Sequence, residues 1–326
     1  MDSITQAALG AVIGDIGLNK KMGKKAMLLG VAFGTLPDLD IFQNIFLDTV
    51  SGIDWHRSYS HSILFACCVA PLLTWLFKKN RQWGWTVFAI LLTHTFLDCL
   101  TTWGTKLFWP LSNYAVALKS IFIIDPFYTV FLLIPIFLRI LNSRFATKFM
   151  LIGLCLSTTY LLWGISAKYW MHARFTDFHK NQNSHILRHE TKATAFNTLL
   201  WANVAETQEK FIFTYSSILS PKMSRSYTIS KQQNLPNILT NHPKIKALKR
   251  ISNDYFTIDT LIHGYRFNDW RFGQGVGWET GSGSAIFSYL ITHQDTDLTI
   301  LESPNRDRRI KDFLEPIPRF IQGNFE

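Results

Sequence analysis

The first 170 residues repeat a pattern of long apolar runs broken by short polar or basic stretches, and the remaining residues do not. A membrane-crossing helix needs roughly 20 mainly apolar residues. The runs that meet or approach this are His61–Phe77, Trp83–Leu100, Ile121–Ile140 and Lys148–Ala167. Lys25–Phe46 is interrupted by Pro37, Asp38 and Asp40, and Ile4–Leu18 is short, Gly-rich and carries Asp15. The pattern therefore predicts a mainly α, polytopic membrane domain of about six spans over 1–170. From Phe175 the periodicity changes. "EKFIFTYSSIL", "RSYTIS", "NDYFTIDTL" and "AIFSYLIT" alternate as strands do, and "HPKIKALKRIS" reads as a short helix. A small soluble α+β or β-rich domain over 171–326 follows.

Six spans also predict an orientation. Lys20–Lys25, the group Lys78, Lys79 and Arg81, and the group Arg139, Arg144 and Lys148 all fall in loops on one side. That side is the cytoplasm by the positive-inside rule, which leaves the C-terminal domain extracytoplasmic. The net charge of +10 is thereby explained beside a membrane. No nucleic-acid recognition module accompanies it, so nucleic acid is not expected as a partner. The four cysteines, Cys67, Cys68, Cys99 and Cys155, lie in apolar runs and have neither disulfide nor CxxC character. The basic cluster follows the first apolar stretch instead of preceding it, so that stretch reads as retained rather than as a cleaved signal.

Ionisable residues inside apolar runs are costly and usually functional. His94 and Asp98 in "LLTHTFLDCL" stand four apart and share one helix face. "WHRSYSH" contributes His56 and His61 around Arg57, and "GTLPDLD" contributes Asp38 and Asp40. In a six-span topology all of these reach the same depth on one side. Imidazole and carboxylate together suit a divalent metal, zinc first, with manganese or magnesium as alternatives and room for more than one ion. The bland alternatives are a lone His94–Asp98 hydrogen bond, solvated loop histidines, and Asp38 and Asp40 capping a helix end. Arg57 can clamp a phosphate or pair with a headgroup or an Asp. Asp15 reads as structural, Asp125 before Pro126 as a helix cap, and Thr5 and Gln6 as lining of the same cavity.

"MDSITQAALGAVIGD", "KAMLLGVAFGTLPDLDIF", "HRSYSHSILF" and "THTFLDCLTTWGT", in that order, resemble the bacterial YdjM-like family, described as membrane-bound metal-dependent hydrolases. The resemblance covers residues 1–130 and extends weakly into "AFNTLLWANV". It implies an inner-membrane location and a site of His56, His61, His94 and Asp98 with Asp38 and Asp40 beside them. Relatives carry histidine where this chain has Gln6, so the resemblance gives that position no ligand role. The histidine–three residues–aspartate spacing is also similar to that of zinc-dependent phospholipases C and P1-type nucleases.

In the C-terminal half, "GQGVGWETGSGS" lacks the lysine and hydroxyl residue of a phosphate-binding loop. His172, His179, His185 and His189 are irregularly spaced and read as ordinary polar residues. "RFNDWRFG" reads as packing. The expected function is metal-dependent hydrolysis of a phosphoester in a membrane lipid or lipid-linked substrate. Metal would be held by His56, His61, His94 and Asp98. Asp38 or Asp40 would complete the shell or act as base, and Arg57 would neutralise phosphate. The rival expectations are an ion-handling transporter, which the lack of an internal repeat disfavours, and a non-catalytic metal-stabilised scaffold.

Overall fold

A computed structural model describes residues 1–141, 145–182, 185–274, 283–294, 297–303 and 314–325. The chain divides into two compact units. The first comprises Met1–Phe42, Trp55–Ala167 and Thr194–Thr198; the second comprises Gln43–Asp54, Lys168–Ala193 and Leu199–Glu326.

The first unit is helical. α1 (Ser3–Met22) begins where the Asp2 side chain accepts from Thr5 N, and α2 (Lys25–Thr35) follows it directly. Glycines set the distance between them. A Cβ on Gly10 would lie 2.2 Å from the Gly30 carbonyl oxygen, and one on Gly30 would lie 2.1 Å from the Gly10 oxygen. Gly10 and Gly14 on α1, and Gly30 and Gly34 on α2, form two small-x-x-x-small stripes that bring backbone against backbone. Proline cannot continue the helix, so the chain tightens into a 3₁₀ helix over Pro37–Ile45. After α3 (Thr49–Trp55), a 3₁₀ turn over Tyr59–His61 leads into α4 (Ile63–Leu76), capped by Ser62. α5 (Arg81–Cys99), capped by Asn80, and α6 (Pro126–Ile140), capped by Asp125, complete the packing around α1. Leu9, Val12, Leu97, Tyr128, Leu132 and Met150 form one core, and Leu18, Ala26, Ala66, Trp83 and Val87 another.

The expectation of six spans is not met. One helix, α7 (Ala146–Asn181), is long and apolar enough to cross a membrane among the described residues. A second crossing exists only if Thr49–His61 and Ile63–Leu76, bent by 54° at their junction, count as one. The apolar runs are longer than the helices they form. Lys25–Phe46 yields 11 helical residues before Pro37, about 16 Å against a hydrocarbon core of about 30 Å. His61–Phe77 yields 14, and Ile121–Ile140 yields 15, because the chain is not helical before Pro126. α1 and α5 have the length but are too polar, with Asp15, Lys20 and Lys21 in one and Arg81, His94 and Asp98 in the other. With one or two candidate spans in place of six, the basic loops fix no side of the membrane for the C-terminal unit.

The second unit contains two antiparallel four-stranded sheets, each a meander in sequence order. β1 (Arg188–Ala193), β2 (Leu200–Glu206), β3 (Lys210–Ser217) and β4 (Tyr227–Ser230) form the first. β5 (Phe256–Leu261), β6 (Gly264–Gln274), β7 (Ala285–Gln294) and β8 (Asp297–Glu302) form the second. Between them lie α8 (Asn237–Thr240) and α9 (Pro243–Ile251); α10 (Ile317–Ile321) comes last. α9 turns Ile245 and Leu248, three apart on one face, into a core with Phe256, Phe267 and Tyr289. Val50, from the Gln43–Asp54 segment, is buried in that same core. β3, β4, β5, β7 and α9 lie where the alternation predicts them. Residues 275–282 of the glycine-rich run, and Arg144, lie outside the described residues.

Candidate metal centre

Four side chains of the first unit converge on one point. Asp38 comes from the 3₁₀ helix after Pro37, His61 from the end of the turn before α4, and His94 and Asp98 from the last turns of α5. One ligand atom from each lies within 4.8 Å of all the others. His61, His94 and Asp98 are buried, while the Asp38 side chain keeps 21 % exposure and marks the open side.

The separations discriminate between a hydrogen-bond cluster and a metal shell. His61 Nε2 stands 3.3 Å from Asp38 Oδ1, 3.4 Å from Asp98 Oδ2 and 3.1 Å from His94 Nε2. His94 Nε2 stands 3.6 Å from Asp38 Oδ1 and 3.9 Å from Asp98 Oδ2. Nitrogen and oxygen ligands at about 2.0–2.1 Å in a tetrahedron are separated by roughly 3.3–3.4 Å. The five distances scatter about that edge length.

The tautomers are dictated by what surrounds the rings. His94 Nδ1 lies 2.7 Å from the carbonyl oxygen of Gly34, which can only accept, so His94 carries its hydrogen on Nδ1. Ser60 Oγ donates to Asp40 Oδ2 at 2.7 Å and therefore accepts from His61 Nδ1 at 2.9 Å. Both Nε2 atoms are left with lone pairs, and they face each other at 3.1 Å. Two such lone pairs repel unless a proton or cation lies between them. Asp98 Oδ2, aimed at the same point, has no hydrogen-bond partner among the described residues.

The layer behind the four is built from donors and acceptors that hold the rings. Asp40 accepts from Ser60 Oγ, from the Arg57 backbone N at 3.1 Å and from His56 Nδ1 at 2.7 Å. Asp98 Oδ1 accepts from Gln6 Nε2 at 3.0 Å and meets the α-amino nitrogen of Met1. Arg57 sits at φ 59°, a left-handed conformation uncommon for a side-chain-bearing residue. Its N–H on Asp40 and its carbonyl on Lys106 N hold it there. Its Nε lies 3.3 Å from Asp98 Oδ2 and its Nη1 donates to Thr101 Oγ1. Burial alone would raise the Asp38 carboxyl, but the adjacent imidazoles of His61 and His94 outweigh it and hold the group well below the ordinary carboxylate range.

Of the residues nominated from the sequence, His61, His94, Asp98 and Asp38 come together, while His56 and Asp40 pair with each other beside them. Asp40 has both oxygens committed to donors. Ser60 and the Gly34 carbonyl were not nominated: serine in a turn has no distinctive pattern, and a backbone carbonyl has no sequence signal at all. Asp15 pairs with Arg139, Asp54 with Arg250, and Asp48 accepts from Ser51 and Val50. Asp125 caps α6 and accepts from Tyr160 Oη at 2.9 Å. In the second unit His172, His179 and His189 are neighbours, and His185 is exposed.

The first unit is thus helical, with a buried His/Asp group that could hold a metal ion, and α7 is long and apolar enough to cross a membrane. The model of the YdjM inner membrane protein family matches residues 1–171, and the chain belongs to that family. Its location is accordingly the bacterial inner membrane. The chain is 31 % identical over 141 residues to the uncharacterized protein YfhP of Bacillus subtilis (strain 168), covering 39 % of this chain and 42 % of the relative. It is 31 % identical over 112 residues to the inner membrane protein YbcI of Escherichia coli (strain K12), covering 32 % of this chain and 64 % of the relative. The chain thus spans less than two thirds of each of these relatives. No solved structure matches it, and the likeness to zinc-dependent phospholipases C and P1-type nucleases finds no support among these relatives.

Proposed function

We propose that His61, His94, Asp38 and Asp98 hold a divalent cation, zinc by preference, and that the protein is a hydrolase of a phosphoester in a membrane lipid or lipid-linked substrate. The observation that carries the reading is the pair of imidazole lone pairs facing each other at 3.1 Å between two carboxylates. Near-tetrahedral separations favour zinc over magnesium, which demands an octahedron. A cation there would supply Lewis acidity and a hydroxide at neutral pH.

The chain's own residues divide the remaining tasks. Ser60 and Asp40 orient His61, and the Gly34 carbonyl orients His94. The Asp38 side chain keeps 21 % exposure, and its Oδ2, itself buried, has no hydrogen-bond partner among the described residues. That oxygen is uncommitted and would take a proton from a water held at the cation, whereas both oxygens of Asp40 are occupied. The Arg57 guanidinium adds a positive charge beside Asp98, suited to a phosphate oxygen. Membership of an inner-membrane family supports a substrate reached from the bilayer.

A second reading has its own support. Four protein ligands fill a tetrahedron, and closed sites of this kind are usually structural. The two readings separate in one experiment on detergent-purified protein. Metal content is measured for wild type, His61→Ala and His94→Ala, and hydrolysis in mixed micelles is assayed as inorganic phosphate from phosphatidic acid and polyprenyl phosphate and as glycerol or glycerol phosphate from phosphatidylglycerol. Stoichiometric metal lost in both variants, with turnover lost alongside it, supports the hydrolase. Metal without turnover on any of these substrates leaves the structural role. Metal-free, well-folded wild type that takes up none when zinc is added sinks both.

A further inference from the structure

The first unit contains a second concave feature, between α4 and α5. The cavity is about 910 Å³, within the usual range for small-ligand sites, and Cys67, Pro71, Trp75, Trp85 and Phe88 supply its apolar wall. One end is ringed by Lys78, Lys79 and Arg81 from the turn that joins the two helices. Trp75 and Trp85 are 76 % and 69 % exposed. Exposed tryptophans beside lysine and arginine are what the boundary between headgroups and acyl chains selects.

Among the described residues, none of the three cations has a carboxylate partner or a side-chain hydrogen bond. The backbone amides of Phe77, Lys78 and Lys79 are already donated to the carbonyls of Leu73, Trp75 and Thr74. An anion at this end would therefore be met by the side chains, with the positive end of the α5 dipole behind them. An apolar trough that leads away from a cluster of free cations is complementary to one kind of molecule, an anionic amphiphile.

We infer that this groove binds an anionic phospholipid, with an acyl chain in the cleft and the phosphate on Lys78, Lys79 and Arg81. Clusters of lysine and arginine beside a membrane recognise anionic headgroups in this way. The site is separate from the metal centre. Arg81 and His94 are 13 residues apart on α5 (81 to 94), which is about 20 Å along the helix axis. Its occupant is a bound lipid that holds α4 and α5 together, distinct from any substrate of the centre.

Native mass spectrometry of the full chain in detergent tests this, with phosphatidylglycerol or phosphatidylcholine added in rising amounts. One phosphatidylglycerol per chain is expected at a concentration about tenfold or more below that needed for phosphatidylcholine. The triple variant Lys78→Gln/Lys79→Gln/Arg81→Gln changes only exposed side chains, and it is expected to lose that preference. Cys67→Phe, which narrows the trough, is expected to weaken retention of both lipids. Metal content serves as the control for folding, because none of these residues approaches the His/Asp group. Equal retention of the two lipids by wild type overturns the inference. So does an undiminished preference in the triple variant, or unchanged retention in Cys67→Phe. Displacement of the lipid by millimolar glycerol phosphate would reduce the site to a bare anion contact and likewise overturns it.

Discussion

The two units each gather histidines, and the difference between the gatherings shows what makes one of them a candidate metal centre. In the second unit His172 and His189 stack with ring centroids 4.3 Å apart, and His179 stands edge-on to His189 at 5.6 Å. Every contact there is a matched donor and acceptor. Thr176 Oγ1 donates to the His172 carbonyl and so accepts from His189 Nε2, while Asn203 Nδ2 donates to His189 Nδ1. Asn203 Oδ1 accepts from His179 Nε2 at 2.8 Å. Among the described residues no carboxylate oxygen bonds to these rings, and no two of their ring nitrogens are in hydrogen-bond contact. In the first unit the rings are held from behind by an acceptor each, and their free nitrogens are turned on one another between two aspartates. Proximity of histidines is common to both; only the first leaves electron pairs that call for a proton or a cation between them.

The sharpest test of this contrast is to remove one ring from each group. His94→Ala is expected to reduce bound metal from about one ion per chain to less than a tenth, whereas His189→Ala leaves it unchanged; elemental analysis of purified protein reads both. Equal loss in the two would erase the distinction.

The next effect concerns the hydrogen-bond layer. Ser60→Ala cuts the link from Asp40 to His61 and should weaken metal affinity about 10–100-fold, measured by competition with a chromophoric chelator. Thr176→Val, the equivalent cut in the second unit, should not alter it.

A smaller effect tests how the helices carry the site. Gly30→Ala places a Cβ against the Gly10 carbonyl and should cost about 1–3 kcal/mol in thermal unfolding. Because the Gly34 carbonyl holds His94, metal affinity should fall in the same variant.

The smallest effect is a pH dependence of the second unit. Burial, and then the neighbouring His172 and His179, lower His189 from its ordinary value near 6.5 to about 4. The unfolded chain takes up this proton near pH 6.5 and the folded chain only near pH 4. Stability is therefore full above 6.5 and declines as pH falls through that window. Thermal unfolding followed between pH 7 and 4 should show the decline, and His189→Gln should flatten it.

The site was largely legible in the sequence because its chemistry is carried by ionisable residues that apolar runs do not tolerate without reason. His94 and Asp98 stand out in "LLTHTFLDCL" by spacing alone, and Asp38 follows a proline that ends a helix. What was not legible is contributed by the backbone or by commonplace side chains, the Gly34 carbonyl and Ser60. The span count failed for a related reason. A hydropathy window sums side chains and is blind to where the helix stops, so Lys25–Phe46 reads as one run although Pro37 ends the α-helix within it. In the C-terminal half, β3 and β7 are marked by β-branched and aromatic residues, whereas β2 carries Ala202, Asn203 and Ala205, which are poor strand formers, and has a weaker signal.

The Gln43–Asp54 segment has a consequence for how the protein is made. Val50 is buried in a core whose other members run from Leu239 to Ile300. At about 5–20 residues per second, the ribosome needs roughly 10–50 s to deliver the last of them after Val50 is synthesised. Throughout that interval an apolar residue, tethered a few positions from Asp40 and His56, has nothing to cover it. The four residues of the candidate metal centre are complete within the first 98 positions, so they are synthesised long before the second unit can close.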